Sequence, residues 1–154
     1  MCLIASRKSS AGTKMQAWGL VYMTRVKATS PATVMVLEPE ILARMAIAEF
    51  LRGCGYKVIE GMTSDEVFTV LEAGTAVQII LAEVRLAGDR NGLELAKRVR
   101  ETYPGIDIIL TVGIANAATK AGELCDDGPL EKPFHPQELM RRIHMLRERR
   151  RATS

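Results

Sequence analysis

Long apolar runs, a metal-ligand cluster and a disulfide framework are all missing from this 154-residue sequence. No stretch approaches the roughly 18 consecutive apolar residues of a membrane-spanning helix. Met1 to Ile4 followed by Arg7 and Lys8 places charge after a very short apolar run, unlike a secretory signal, so a cytoplasmic location is expected. The three cysteines, Cys2, Cys54 and Cys125, are far apart and form no C-x-x-C pair, which suits neither disulfides nor zinc. Cys54, at the end of a predicted helix, reads as a small buried hydrophobe. Two histidines, His135 and His144, are too few and too distant for a metal cluster and read as surface or capping residues. There is no nucleophile–base pair and no phosphate-binding glycine loop, because Gly53-Cys54-Gly55 sits where a helix ends and reads as capping chemistry. An enzyme is therefore not expected.

Charge is unevenly spread. Residues 1–30 carry five bases and no acid, residues 31–140 carry 10 bases and 17 acids, and residues 141–154 carry six arginines and one acid. A basic head and tail flanking an acidic body argue against a dedicated nucleic-acid-binding domain. Arginines in a final helix also complement its dipole, which explains the tail without a ligand.

Residues 1–30 have weak periodicity and read as a flexible basic extension. From Ala32 the pattern becomes regular, implying a domain over 31–150 and a short tail over 151–154. Thr33–Leu37 is an apolar run of the kind buried on both faces in a parallel sheet. Glu40–Cys54 has Ile41, Met45, Ala48 and Leu51 at helical spacing and stops at Gly55. Tyr56–Glu60 reads as a second strand. Thr63 and Glu66 form a capping box for a helix carrying Val67, Val70 and Leu71 and closing at Gly74. Val77–Ala82 is a third strand, followed by a loop with Gly88, Asp89, Asn91 and Gly92. Leu93–Thr102 is a helix with Leu95 and Val99 inward, stopped ahead of Pro104. Ile106–Val112 is a fourth strand. Residues 114–126, rich in alanine, predict a short or irregular helix, and Pro129–Glu131 a brief fifth strand. Pro136 then opens a last helix with Leu139, Ile143 and Leu146 inward.

Strands alternating with helices imply a parallel sheet covered on both faces. Five such units predict an α/β fold of the flavodoxin-like, doubly wound (βα)5 type, strand order 2-1-3-4-5, with its site beyond the carboxyl ends of the strands. That edge collects Glu38, Pro39 and Glu40, then Glu83 to Arg85, then Val112 and Gly113, and finally Lys132.

At these residues the sequence resembles the CheY-like receiver domains of response regulators. The resemblance covers about residues 33–148 and rests on Glu83-Val84-Arg85-Leu86-Ala87-Gly88 leading into Asn91-Gly92-Leu93-Glu94-Leu95, and on Lys132-Pro133-Phe134. It implies an acid pair that binds Mg²⁺ with an aspartate that accepts a phosphoryl group from a histidine kinase. It also implies a Thr or Ser and a Lys that grip the phosphoryl oxygens, and an aromatic that reports the event.

The sequence departs from that pattern at four positions. The acid pair reads Glu38-Pro39, and proline can be no ligand. The acceptor is Glu83, one methylene longer than Asp. The Thr/Ser position, 29 residues after Glu83, is Val112, while neighbouring Thr111 should point to the other side by strand alternation. The aromatic position, three residues before the lysine, is Pro129. Only Lys132 is retained, with Glu38 an acceptable first acid. Mg²⁺ needs tightly placed oxygens and phosphoryl transfer needs positioning and charge neutralisation, so no metal is expected and the chain reads as a pseudo-receiver without catalytic residues.

Glu83 beside Lys132 could mimic a phosphoryl group or merely neutralise a buried acid; with Val112 and Pro129 as the relay, the second reading is favoured. The leading expectation is a stand-alone regulator working by phosphorylation-independent protein–protein interaction. Its partners would be a sensor histidine kinase, another response regulator or an output protein, or a second copy of itself. The resemblance puts the contact face at about residues 115–148, with His135, Gln137, Arg141 and His144 as contact residues. A residual phospho-acceptor at Glu83 or Asp89 is the first alternative. Nucleic-acid binding through the basic ends is the second, unsupported by any helix-turn-helix or aromatic-rich basic stretch.

Overall fold

The computed structural model describes residues 31–86, 91–113 and 128–153. The basic extension, Asp89 and the alanine-rich stretch 114–126 therefore lie outside the described residues. The chain divides into two units at Ser30 and Pro31, and the second is the one described below.

The element order is β1 (Thr33–Leu37), α1 (Ile41–Gly53), β2 (Lys57–Gly61), α2 (Ser64–Glu72), β3 (Ile79–Glu83), α3 (Gly92–Thr102), β4 (Asp107–Val112), β5 (Leu130–Glu131) and α4 (Pro136–Thr153). The strands form one parallel sheet in the order β2-β1-β3-β4-β5, the doubly wound order predicted. Every residue of β1 and β3 is buried, as continuous apolar runs require when helices cover both faces. Alternation then sorts the side chains into two layers. Met35, Leu37, Ile80, Ala82 and Leu110 pack against Val67, Phe68, Leu95 and Val99 of α2 and α3. Val34, Val36, Ile79, Leu81 and Ile109 pack against Leu51, Leu139 and Ile143 of α1 and α4.

Local signals set the helix ends. Gly55 and Gly74 turn the chain after α1 and α2 with φ of 87° and 77°, a region open to glycine without strain. The Thr63 hydroxyl accepts the Glu66 N–H, while the Glu66 carboxylate accepts from Met62 N–H, one residue before the cap. Asn91 caps α3 by accepting the Glu94 N–H.

Several expectations need correction. The inward stripe of α1 is Arg44, Ile47, Ala48 and Leu51, whereas Ile41 and Met45 are exposed. Arg44 takes the inward place because its guanidinium bonds the Glu38 carbonyl at 2.6 Å and pairs with Glu60. Cys54 is exposed, since it lies in the turn that carries α1 past the sheet. β3 starts two residues later and ends one residue later than predicted, which makes Glu83 its last residue. The residues set apart as a tail, Arg151 to Thr153, continue α4, where the Thr153 hydroxyl donates to the Arg149 carbonyl and Arg150 is tied to Asp107.

Candidate functional site

Three strand ends bring the site together. Glu38 follows β1, where its N–H donates to the Gly61 carbonyl of β2 at 3.3 Å. Glu83 ends β3, and its register partner in β4 is Thr111. Lys132 follows β5 and donates its N–H to the Val112 carbonyl at 2.8 Å, so the β4–β5 pairing sets its position.

Both acids are buried, Glu38 at 4% and Glu83 at 8% exposure, and a buried carboxylate must find partners. Glu38 Oε2 pairs with Lys132 Nζ, while Oε1 accepts the Glu40 N–H at 3.1 Å. Glu83 Oε2 lies 2.5 Å from Lys132 Nζ and accepts the Thr111 hydroxyl at 3.4 Å. Its other oxygen accepts the Arg85 N–H at 3.5 Å. Burial by itself works against the charge of Lys132. Hydrogen bonds and attraction from Glu38 and Glu83 outweigh it, so the pKa stands above the ordinary 10.5. Two carboxylates and one ammonium leave this cluster with one excess negative charge.

Thr111 corrects the expectation that its side chain points away from the site. Parallel register pairs Glu83 with Thr111, and paired residues share a face, so the hydroxyl points at the carboxylate. Val112, buried at 1%, alternates to the other face and serves the site through its carbonyl. Parity could have found Thr111, because Ile79, Leu81 and Glu83 on β3 pair with Asp107, Ile109 and Thr111 on β4.

Pro39 follows Glu38 half-buried and adds no carboxylate, and Pro129 precedes β5 with no aromatic ring. For Mg²⁺, the ion the resemblance implies, the nearby donors are therefore Glu38 and Glu83, each already giving an oxygen to Lys132. Among the described residues no group of three or more His, Cys, Asp or Glu side chains could hold a metal ion. Two acids bridged by an ammonium are a poor fit to an octahedral oxygen shell. One glycine matters here. A Cβ on Gly92 would lie 2.4 Å from the Glu83 carbonyl oxygen, so only glycine lets α3 start this close to the strand that presents Glu83.

The four predicted contact residues are exposed. Gln137, Arg141 and His144 follow one another at helical spacing on α4 and share a face. His135 lies just before them, its Nδ1 accepting the Gln137 N–H at 3.3 Å, which makes it a capping residue. No described helix is long and apolar enough to cross a membrane.

Comparison with known proteins agrees with this fold. The chain is 30% identical over 121 residues to the sensor kinase CckA of Brucella abortus, covering 77% of this chain and 13% of that protein. It is 28% identical over 121 residues to the phosphate regulon transcriptional regulatory protein PhoB of Pseudomonas aeruginosa, covering 76% of this chain and 52% of that one. The chain thus spans only part of these curated relatives. A putative response regulator from Chloroflexus aurantiacus superposes with a TM-score of 0.67 at 25% identity, over 75% of this chain and 97% of that one. A receiver domain protein from Clostridium thermocellum shares the fold, with a TM-score of 0.70 at 18% identity over 80% of this chain and 99% of that one. The profile of the response regulator receiver domain matches residues 34–144, and the chain belongs to that family of two-component signalling domains.

Proposed function

We propose that this receiver domain signals by phosphorylation-independent protein contact, with Glu83 holding the place that a phosphorylated aspartate would take. One observation carries the reading: the Glu83 carboxylate is held between Lys132 Nζ at 2.5 Å and the Thr111 hydroxyl at 3.4 Å. These are the two kinds of group expected to grip a phosphoryl oxygen. Thr111 removes one of the two reasons for treating the pair as inert neutralisation; Pro129, in place of a rotating aromatic, is the other. Mg²⁺ has no place in this mechanism, because Pro39 removes a ligand and Lys132 supplies the cation that the two acids need. The domain is accordingly a regulator rather than an enzyme.

Receiver domains work through contact with histidine kinases, other response regulators or output domains. The exposed face of α4 with Gln137, Arg141 and His144, together with His135, is the proposed surface. The test pairs two measurements. Incubation with acetyl phosphate and Mg²⁺ is expected to leave the intact mass unchanged. Glu83→Gln is expected to abolish capture of a partner kinase or regulator while the thermal unfolding transition stays cooperative. Unchanged capture would sink the proposal.

Thr111 also gives substance to the reading of a slow phospho-acceptor, since both oxygen-gripping groups are present. A gain of about 80 Da, the phosphoryl mass, mapping to Glu83 or Asp89 would establish it instead.

A further inference from the structure

Lys132 stands between Glu38 and Glu83, so its place depends as much on what holds Glu38 as on what holds Glu83. Every polar group of Glu38 has a partner. Its N–H donates to the Gly61 carbonyl at 3.3 Å, and its carbonyl accepts from Arg44 Nη1 at 2.6 Å. Of the carboxylate oxygens, Oε1 accepts the Glu40 N–H at 3.1 Å and Oε2 pairs with Lys132. Gly61 and Glu40 are backbone partners, supplied by the β1–β2 pairing and the start of α1. Arg44 and Lys132 are the two side chains in the set, and Arg44 comes from outside the cluster.

The local sequence makes that contact rigid. Pro39 fixes its own φ and holds the residue before it to extended backbone, which limits the directions open to the Glu38 carbonyl. Arg44 lies one turn into α1, its N–H on the Glu40 carbonyl at 2.9 Å, so the helix carries its guanidinium back to Glu38. The guanidinium is itself anchored. Its Nε lies 3.7 Å from Glu60 Oε2, and the other Glu60 oxygen accepts from Arg52 Nη2 at 2.8 Å. The Arg44 side chain is 13% exposed against 50% for Arg52, so solvent screens the outer pair far more than the inner one. A planar fork lets one side chain serve a carbonyl and a carboxylate together, which a single ammonium does less well. Glu60, Arg44, Glu38, Lys132 and Glu83 therefore touch in that order, from the edge strand β2 to the signalling site.

We propose that Arg44 is a positioning residue for the signalling site, holding Glu38 so that Lys132 is shared between Glu38 and Glu83. The proposal rests on the reading of Glu83 as the occupant of the phosphoryl position. It adds where that position is set from, namely the edge made by β2 and α1. With Glu38 loosened, Lys132 is left to Glu83 alone.

Positioning and simple charge act on Lys132 with opposite signs. Loss of a nearby cation by itself stabilises the charged ammonium and moves its pKa up. Burial pulls that pKa down while Glu38 and Glu83 hold it above 10.5, so loss of support from Glu38 moves it down.

Alkaline titration of the full chain, followed through the nitrogen NMR signal of Lys132 Nζ, tests the proposal. Arg44→Met keeps the packed stem and removes the donors. Its Lys132 pKa is expected to fall below that of the parent. Exchange of the Glu40 amide proton is expected to quicken about tenfold, the worth of one charge-assisted hydrogen bond. Arg44→Lys keeps the charge without the fork, so a smaller fall is expected, and this variant decides the matter if Arg44→Met does not fold. Arg52→Ala, which takes the outer base from Glu60, should leave the titration unchanged. A Lys132 pKa that is unmoved or raised in whichever Arg44 variant folds overturns the proposal, since a contact that only stabilises α1 would lower the unfolding temperature alone. An equal fall in Arg52→Ala also overturns it. Failure of the Glu83 reading looks different: Glu83→Gln would leave partner capture unchanged while Arg44→Met still lowered the Lys132 pKa.

Discussion

The two edges of the sheet pose the same electrostatic problem with opposite signs. At the carboxyl edge, two buried acids share Lys132. At the amino edge, four arginines and Asp107 line one cavity, and Arg150 holds Asp107. Between Asp107 and Val112 the strand spans roughly 17 Å, so the clusters act independently through much of the domain. The acidic cluster is closed, in that both carboxylates use the same ammonium. The basic cluster is open, in that its arginines line a cavity. Burial makes the first costly to disturb, and the exposure of Arg150 makes its pair in the second cheap to disturb.

The largest expected effect comes from breaking the closed cluster. Lys132→Met leaves two buried carboxylates facing each other and is expected to cost on the order of 3 kcal/mol in urea unfolding at neutral pH. A Glu38→Gln change on top should recover part of that loss. Next is Gly92→Ala, where the new Cβ meets the Glu83 carbonyl; a loss of about 2 kcal/mol is expected from the forced shift of α3 against β3. If the variant matches the parent in stability, the close approach does not constrain Glu83.

Alkaline titration sharpens the comparison further. The folded-state pKa of Lys132 lies above its unfolded value. Its contribution is therefore fully present below the unfolded pKa of about 10.4 and lost as pH rises through the folded-state value. Stability should decline more steeply above that point in the parent than in Lys132→Met. Overlapping curves would remove Lys132 from the linkage. The smallest effect is at the open cluster. Arg150→Ala breaks a pair whose arginine side chain is 42% exposed, so a loss below about 1 kcal/mol is expected from thermal unfolding.

Much of the fold was legible because it rests on local rules. The alternating strand and helix pattern, the Thr63 cap, the glycines after α1 and α2 and Pro136 at the start of α4 each carry a local physical meaning. Legibility failed where a side chain's place depends on a distant partner. Ile41 and Met45 matched the helical period of α1, yet Arg44 claimed the inward position because the Glu38 carbonyl and Glu60 were there to receive it. Val112 matched a count along the chain, yet the β3–β4 register put Thr111 opposite Glu83. The arginine cavity was hidden likewise, since Arg100 and Arg149 are far apart in sequence and come to line one cavity only through the packing of α3, β4 and α4.

The sequence by itself determined the doubly wound sheet and the convergence of Glu38, Glu83 and Lys132 at one edge, because buried parallel strands have a single amphipathic grammar and a single open end for polar groups. Only the tertiary structure decided which hydroxyl meets Glu83 and that Lys132 bridges both acids. Register and packing between strands are set by contacts across the sheet, and a one-residue difference in a loop moves a side chain to the opposite face.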